Sequence, residues 1–179
     1  MNAPVDPVLS RSKGQAFWPT FVSVFLLDFV TKRLAERNLA PMYTPHEVFG
    51  DVVRMTLAFN KDAAMGLSLG DYSRVGFTLI AAIVLVVLGV FYRRTPSQAW
   101  VAALGLALVA AGALGNLSDR VLFSHGVVDF IDIGIGSARF YTFNVADAAI
   151  SCGAVVLGIL SLKDHRESDA QVAPAQTGR

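Results

Sequence analysis

Residues 75–115 read VGFTLIAAIVLVVLGVFYRRTPSQAWVAALGLALVAAGALG, and this stretch decides the fold. Residues 75–92 contain no charged side chain, and neither do residues 99–115. A helix rises about 1.5 Å per residue, so about 20 apolar residues cross the hydrocarbon of a bilayer. Between the two runs lies Arg93-Arg94-Thr95-Pro96-Ser97-Gln98, a tight basic turn. The pair therefore reads as a membrane hairpin. Two further runs flank it: one from Phe17 that carries Asp28 and ends at Thr31-Lys32-Arg33, and one from Phe143 to Leu162 with Asp147 near its start.

Composition agrees. Of the 179 residues, 54% are hydrophobic and 16% charged, with a mean hydropathy of +0.52; a soluble domain is about 25% charged. The net charge of +1 offers no basic field, so no nucleic-acid partner is expected. The single cysteine, Cys152, excludes an internal disulfide and a thiolate cluster, and reads as packing in an apolar span. Arg11 and Lys13 precede the first run, but no small-x-small site follows it, so it is read as a span rather than a cleaved signal peptide.

The expected spans are about 17–33, 75–92, 99–116 and 143–162. Four spans place both termini and the turn on one side, and the long connections 34–74 and 117–142 on the other. Basic residues number seven on the first side and, with Lys32 and Arg33 at the end of the first span counted in, eight on the second, so the short Arg93-Arg94 turn decides: it points to the cytoplasm. Residues 1–15 then form a cytoplasmic N-terminal segment, 16–163 the membrane domain and 164–179 a disordered cytoplasmic tail. Residues 54–60 (RMTLAFN) alternate, with Met55, Leu57 and Phe59 on one face. Residues 126–133 and 137–142 also read as extended, so a small sheet is expected on the outer membrane face. Residues 36–38 extend the first helix beyond the membrane.

The polar residues of the spans gather at that outer end. Asp28 and Lys32 close the first span; Asn116, Asp119 and Arg120 close the third; Asn144 and Asp147 open the fourth; Asp129 lies in the connection between them. An ionisable group in a span costs about 2.5–3.5 kcal/mol on insertion scales, which makes each a functional candidate. Spacing leaves alternatives. Asp28 and Lys32, four apart, form a local ion pair or present a carboxylate to substrate. Arg120 offers a planar fork to a carboxylate or a lipid phosphate. Asn144 can cap the fourth helix, whose dipole favours an ionised Asp147. Asp129 and Asp132 point to opposite faces of an extended segment, and spacing alone does not say which works.

These motifs, taken together, resemble those of the bacterial lipoprotein signal peptidases, the signal peptidase II family. Asp28-Phe-Val-Thr-Lys32 is similar to the family's D-x-x-[ST]-K, Gly115-Asn-Leu-Ser-Asp-Arg120 to G-N-x-x-D-R, Val127-Val-Asp-Phe to V-x-D-F, and Phe143-Asn-Val-Ala-Asp147 to F-N-x-A-D. The resemblance implies an all-α membrane protein with four transmembrane helices, a small extracytoplasmic β-sheet and a lid-like helical segment. It implies an aspartic endopeptidase of the bacterial inner membrane, acting as a monomer without cofactor or metal. Its substrates would be diacylglyceryl-modified prolipoproteins, cut before the lipidated cysteine, with membrane lipid as its other partner. Asp129 and Asp147 become the catalytic pair, and Asp132 a bystander. Asp28, Lys32, Asn60, Gly66, Asn116, Asp119, Arg120 and Asn144 become binding or supporting residues. One motif departs: in Asn60-Lys-Asp-Ala-Ala-Met-Gly66, Asp62 stands where the family has Gly and Met65 where it has Phe.

The chemistry that the resemblance implies is coherent. Two close carboxylates share one proton, and the ionised one activates water while the other donates. HExxH is absent, and His46, His125 and His165 are scattered, which argues against zinc. Ser118 lacks a G-x-S-x-G setting. A proton-coupled carrier would need polar groups at mid-depth, and the second and third spans have none. A scaffold would leave the polar cluster unexplained.

Overall fold

The computed structural model describes residues 12–61 and 70–172. Gly66, Asp62 and Met65 lie outside the described residues. Helix α1 (Lys13–Asn38) begins with a reciprocal cap: the Gln15 amide N–H donates to the Ser12 hydroxyl, and the Ser12 N–H to the Gln15 side chain. It runs through residues 36–38, the expected extension. The basic turn joins α2 (Ser73–Arg94) to α3 (Trp100–Leu122), and α4 (Val145–Val172) closes the described chain. Lys13 Nζ donates to the Thr95 carbonyl at 2.7 Å and the Tyr92 carbonyl at 3.1 Å, so α1 starts at the end of the fold where α2 ends. A cation on terminal carbonyls also suits the helix dipole.

Among the described residues, three helical segments are long and apolar enough to cross a membrane: Ser73–Arg94, Trp100–Leu122 and Val145–Lys163. The first run has the length, but Asp28, Lys32 and Arg33 dilute it. On length and apolarity, three of the four expected spans are thus supported. Helix α4 also continues past residue 162, to Val172, because 163–172 contains no Pro or Gly to stop it.

Helix α3 is the hub, packed against α1, α2 and α4. Its small residues allow this: Ala103, Ala107 and Ala111 have no exposed surface. Gly112 and Gly115 show the requirement most clearly. A Cβ on Gly112 would strike the Ala146 carbonyl oxygen, and one on Gly115 would strike Asp28 Oδ2. Helix α2 turns Leu79, Ile83 and Val86 outward, a face suited to hydrocarbon rather than water.

The two long connections form one four-stranded antiparallel sheet, ordered β1 (Pro45–Phe49), β2 (Val53–Asn60), β3 (Val127–Ile135), β4 (Ala138–Arg139). The second and third strands were expected; β1 was not, and β4 is shorter than the extended stretch 137–142. Residues 70–72 form a 3-10 turn ahead of α2. The simple alternation expected of β2 is broken. Its register with β3 shifts between Met55 and Ala58, so Thr56 and Leu57 are buried in succession while Met55 is exposed. A bulge inserts one residue and swaps the face of all that follow. That swap directs Asn60 towards Asp129.

Candidate active site

Asn144 is the starting point. It precedes the first residue of α4, and its Oδ1 accepts the Asp147 N–H at 2.9 Å while its own N–H donates to Asp147 Oδ2 at 3.3 Å. This is the capping arrangement anticipated for Asn144, made reciprocal by the carboxylate three residues on. Capping uses the Asn144 oxygen, which leaves Nδ2 free to point the other way. It donates to Asp129 Oδ1 at 2.7 Å, and also faces the Asn116 oxygen and the Val128 carbonyl. One buried asparagine thus holds both carboxylates, one from a strand and one from a helix start.

Each carboxylate has a second amide donor. Asn60 Nδ2 donates to Asp129 Oδ2 at 3.3 Å, and Asn116 Nδ2 donates to Asp147 Oδ1 at 2.7 Å. The Asn116 amide is oriented by Lys32, whose Nζ donates to Asn116 Oδ1 at 2.9 Å. The same ammonium meets Asp28 Oδ2 at 2.8 Å and Asp119 Oδ2 at 3.1 Å. Lys32 has three donors and no acceptor, and each donor has a partner in a site with no exposed surface. The Asp28–Lys32 alternative is therefore decided by geometry: they form an internal pair that braces the site. Asp28 also accepts the Ala146 N–H at 2.8 Å, a second cap on α4. Asp119 accepts the Val128 N–H and Arg33 Nη2, fixing β3 one residue before Asp129.

Asp129 is 4% exposed. Burial pushes its carboxyl up, the neighbouring Asp147 charge pushes it further, and the Asn144 and Asn60 hydrogen bonds and the Lys32 charge oppose both; the balance leaves it at about 7. Asp132 goes the other way. Burial raises it, but hydrogen bonds from Arg139 and Thr56 and the charges of Arg139 and Arg54 outweigh burial and hold it below the usual range. Arg139 Nε lies 2.6 Å and Arg54 Nε 3.3 Å from its oxygens. The two aspartates do point apart, and Asp132 serves to tie β2, β3 and β4 together.

Both carboxylates line an open cavity of about 780 Å³. Asn60, Asn116 and Arg120 share its polar wall, Phe77, Ile80, Val84 and Ile150 its apolar wall, and Phe140 and Tyr141 its outer part. Arg120 Nη1 donates to the Asn116 carbonyl at 3.3 Å, and the Phe77 ring lies under its guanidinium. Of the residues singled out in the sequence, Asp28, Lys32, Asn60, Asn116, Asp119, Asn144, Asp129 and Asp147 form one connected polar network. Arg120 borders it, and Gly66 lies outside the described residues. Cys152 is exposed and lines the cavity, whereas its apolar surroundings suggested packing. Sequence reading missed Arg33, Phe140 and Tyr141; the Arg33–Glu36 spacing was the available clue for the first.

Residues 20–163 match the family model described as signal peptidase (SPase) II. The chain belongs to the signal peptidase II family. It is accordingly a protease. The chain is 39% identical over 169 residues to the lipoprotein signal peptidase of Pseudomonas putida, covering 92% of this chain and 96% of that one. It is 40% identical over 144 residues to the lipoprotein signal peptidase of Streptomyces coelicolor, covering 78% of this chain and 66% of that one, just short of two thirds of its length. Among solved structures, a bacterial membrane enzyme determined by the in meso method at 2.3 Å resolution superposes with a TM-score of 0.75 at 29% identity, over 93% of this chain and 94% of that one. Within the signal peptidase II frame the matched segment contains every described residue of the polar network.

Proposed function

We propose that this protein is an intramembrane aspartic endopeptidase that removes signal peptides from diacylglyceryl-modified prolipoproteins, cutting on the N-terminal side of the lipidated cysteine. The observation that carries the reading is the shared grip of Asn144 on Asp129 and Asp147 at the wall of a mostly apolar cavity. Asp147, at the positive end of α4 and bonded by Asn116, acts as the base that takes a proton from water. Asp129, protonated up to about pH 7, donates to the scissile carbonyl oxygen and so polarises it. Water oxygen bonds to the carbonyl carbon as the carbonyl oxygen takes the Asp129 proton; when the resulting gem-diol collapses, a hydroxyl proton returns to Asp129, the C–N bond breaks, and the proton now on Asp147 passes to the leaving amine. No metal or cofactor takes part.

Helix α1 is the fourth span. Asp28 and Lys32 face inward with no exposure, while Leu26, Leu27, Val30 and Leu34 are exposed. Both termini and residues 93–98 lie in the cytoplasm of a bacterial cell, and the sheet and the carboxylates at the extracytoplasmic face of the inner membrane. The enzyme works as a monomer. The scissile bond has to reach interface depth, and the substrate's acyl chains deliver it there, at about 0.8 kcal/mol per buried CH₂. Purified enzyme in one detergent, given matched lipidated and unlipidated prolipoprotein, tests this. The lipidated form should be cut far faster, giving a product that begins at the modified cysteine; equal rates would overturn the substrate assignment.

A further inference from the structure

His125 lies in the turn between α3 and β3, outside the polar network just described, yet it is built into a continuous stack. The Arg33 guanidinium lies over the Phe123 ring at 4.0 Å. Phe123 is parallel to the His125 ring, with centroids 5.3 Å apart and 7° between planes. His125 in turn lies 4.3 Å from the Phe59 ring. The stack therefore runs from α1, past the end of α3, to the residue immediately before Asn60. A cation on an aromatic face is attractive, and the effect strengthens as water is excluded.

The edges of the imidazole are held as well. Nε2 is 3.1 Å from Glu36 Oε1, and Nδ1 is 3.1 Å from the Gly126 carbonyl oxygen. Both neighbours are acceptors, so whichever nitrogen carries the ring proton has an oxygen to donate to. Glu36 is fixed by Arg33 at 2.9 Å, and Arg33 by Asp119. The carbonyl of Gly126 is presented by a backbone φ of +92°, a region that glycine enters freely. A Cβ at 126 would strike the Asn60 carbonyl oxygen, so the turn is pressed against the backbone of Asn60 itself.

We infer that His125 is a positioning residue, which holds the end of β2 so that the Asn60 side chain stays on Asp129. This rests on the assignment of Asp129 and Asp147 as the catalytic pair. Phe59 and Gly126 approach Asn60 from two sides, and His125 touches both. The charged groups facing His125 are Glu36 on α1 and, behind it, Arg33. Those acting on Asp129 are Asp147 on α4, Lys32 on α1 and Arg120 on α3. The Asn60 bond favours the ionised form of Asp129. Loosening it makes Asp129 keep its proton to higher pH, and the pH at which kcat declines moves upward.

The test is the pH dependence of kcat and KM for wild type, His125→Phe, Asn60→Ala and the double variant. Phenylalanine keeps the ring stack and gives up the ring-nitrogen contacts to Glu36 and Gly126. The expected result is a fall in kcat of about tenfold with KM little changed, and a rise in the alkaline limb of about 0.5–1 pH unit, the size of one hydrogen bond. Asn60→Ala should move the limb equally, and the double variant no further. A folded His125→Phe enzyme whose limb coincides with wild type overturns the inference, as does a limb shift that adds to that of Asn60→Ala. If His125→Phe does not fold, His125→Gln, which keeps one donor, is judged by the same criteria. Asp129→Asn and Asp147→Asn are measured alongside: turnover in either would mean that the catalytic assignment has failed, whereas inactive aspartate variants with an unmoved His125 limb would mean that only the positioning role has.

Discussion

Replacing Asp129 by Asn should make the folded protein more stable at high pH, and the size of the effect follows from the site. The folded carboxyl sits at about 7 against an ordinary 3.8, because burial and the Asp147 charge oppose its ionisation. A group raised on folding contributes stability that is fully present below its unfolded value and is lost as pH rises through its folded value. Between pH 5 and pH 8 the unfolded chain holds this carboxyl ionised, while the folded chain keeps the proton until about 7; at about 1.4 kcal/mol per unit, wild type loses about 2–3 kcal/mol across the window. Asparagine does not titrate and escapes that loss. It does forgo one hydrogen bond, since Asn144 and Asn60 both donate to carboxylate oxygens and an amide has only one oxygen. That cost is the same at every pH and cancels in the comparison. For a chain of this size 1 kcal/mol moves the melting temperature by about 2–4 °C. In detergent, the melting difference between Asp129→Asn and wild type should therefore grow in favour of the variant by about 5–10 °C from pH 5 to pH 8. A difference independent of pH would refute the buried, proton-holding Asp129.

Lys32→Met should cost about 3–5 kcal/mol by leaving Asp28 and Asp119 buried without their common cation, read as lost thermal stability or failure to fold. Asp132→Asn should lower the melting temperature, because the carboxylate ties Arg54, Thr56 and Arg139 across three strands, while turnover below the melting transition persists. In a cysteine-free background, a cysteine placed in 44–52 should react with an impermeant reagent applied outside whole cells, and one at position 97 should not; the reverse pattern would invert the topology.

The sequence and the structure part company for physical reasons. Helices α2 and α3 could be read directly, because hydrocarbon demands an uninterrupted apolar run and the basic turn between them allows one connection. The polar cluster could be read for the converse reason: charges such as Asp28 and Lys32 are too costly in a span to be incidental. Asn144 as a cap followed from its place before an apolar helix. Strand β1 escaped notice because all five of its residues are exposed, so burial imposes no alternation on it. The bulge in β2 escaped because nothing local marks the extra residue between Met55 and Ala58. Lys32 reaching Asp119, and Arg33 stacking through Phe123 and His125 to Phe59, are contacts between segments far apart in the chain, which periodicity does not encode. The cavity is likewise a product of packing: Phe140 and Tyr141 join its wall only because Asp132 and Arg139 secure the strand beside them.

Catalysis in this protein requires the two carboxylates to act as a pair. The deciding measurement is cleavage of a diacylglyceryl-modified prolipoprotein by purified wild type, Asp129→Asn and Asp147→Asn, each shown by its melting transition to be folded. Both substitutions preserve shape and remove the ability to exchange a proton, so both should abolish turnover while substrate binding is retained. Near-normal cleavage by either folded variant would contradict the shared-proton mechanism and remove that residue from the chemistry.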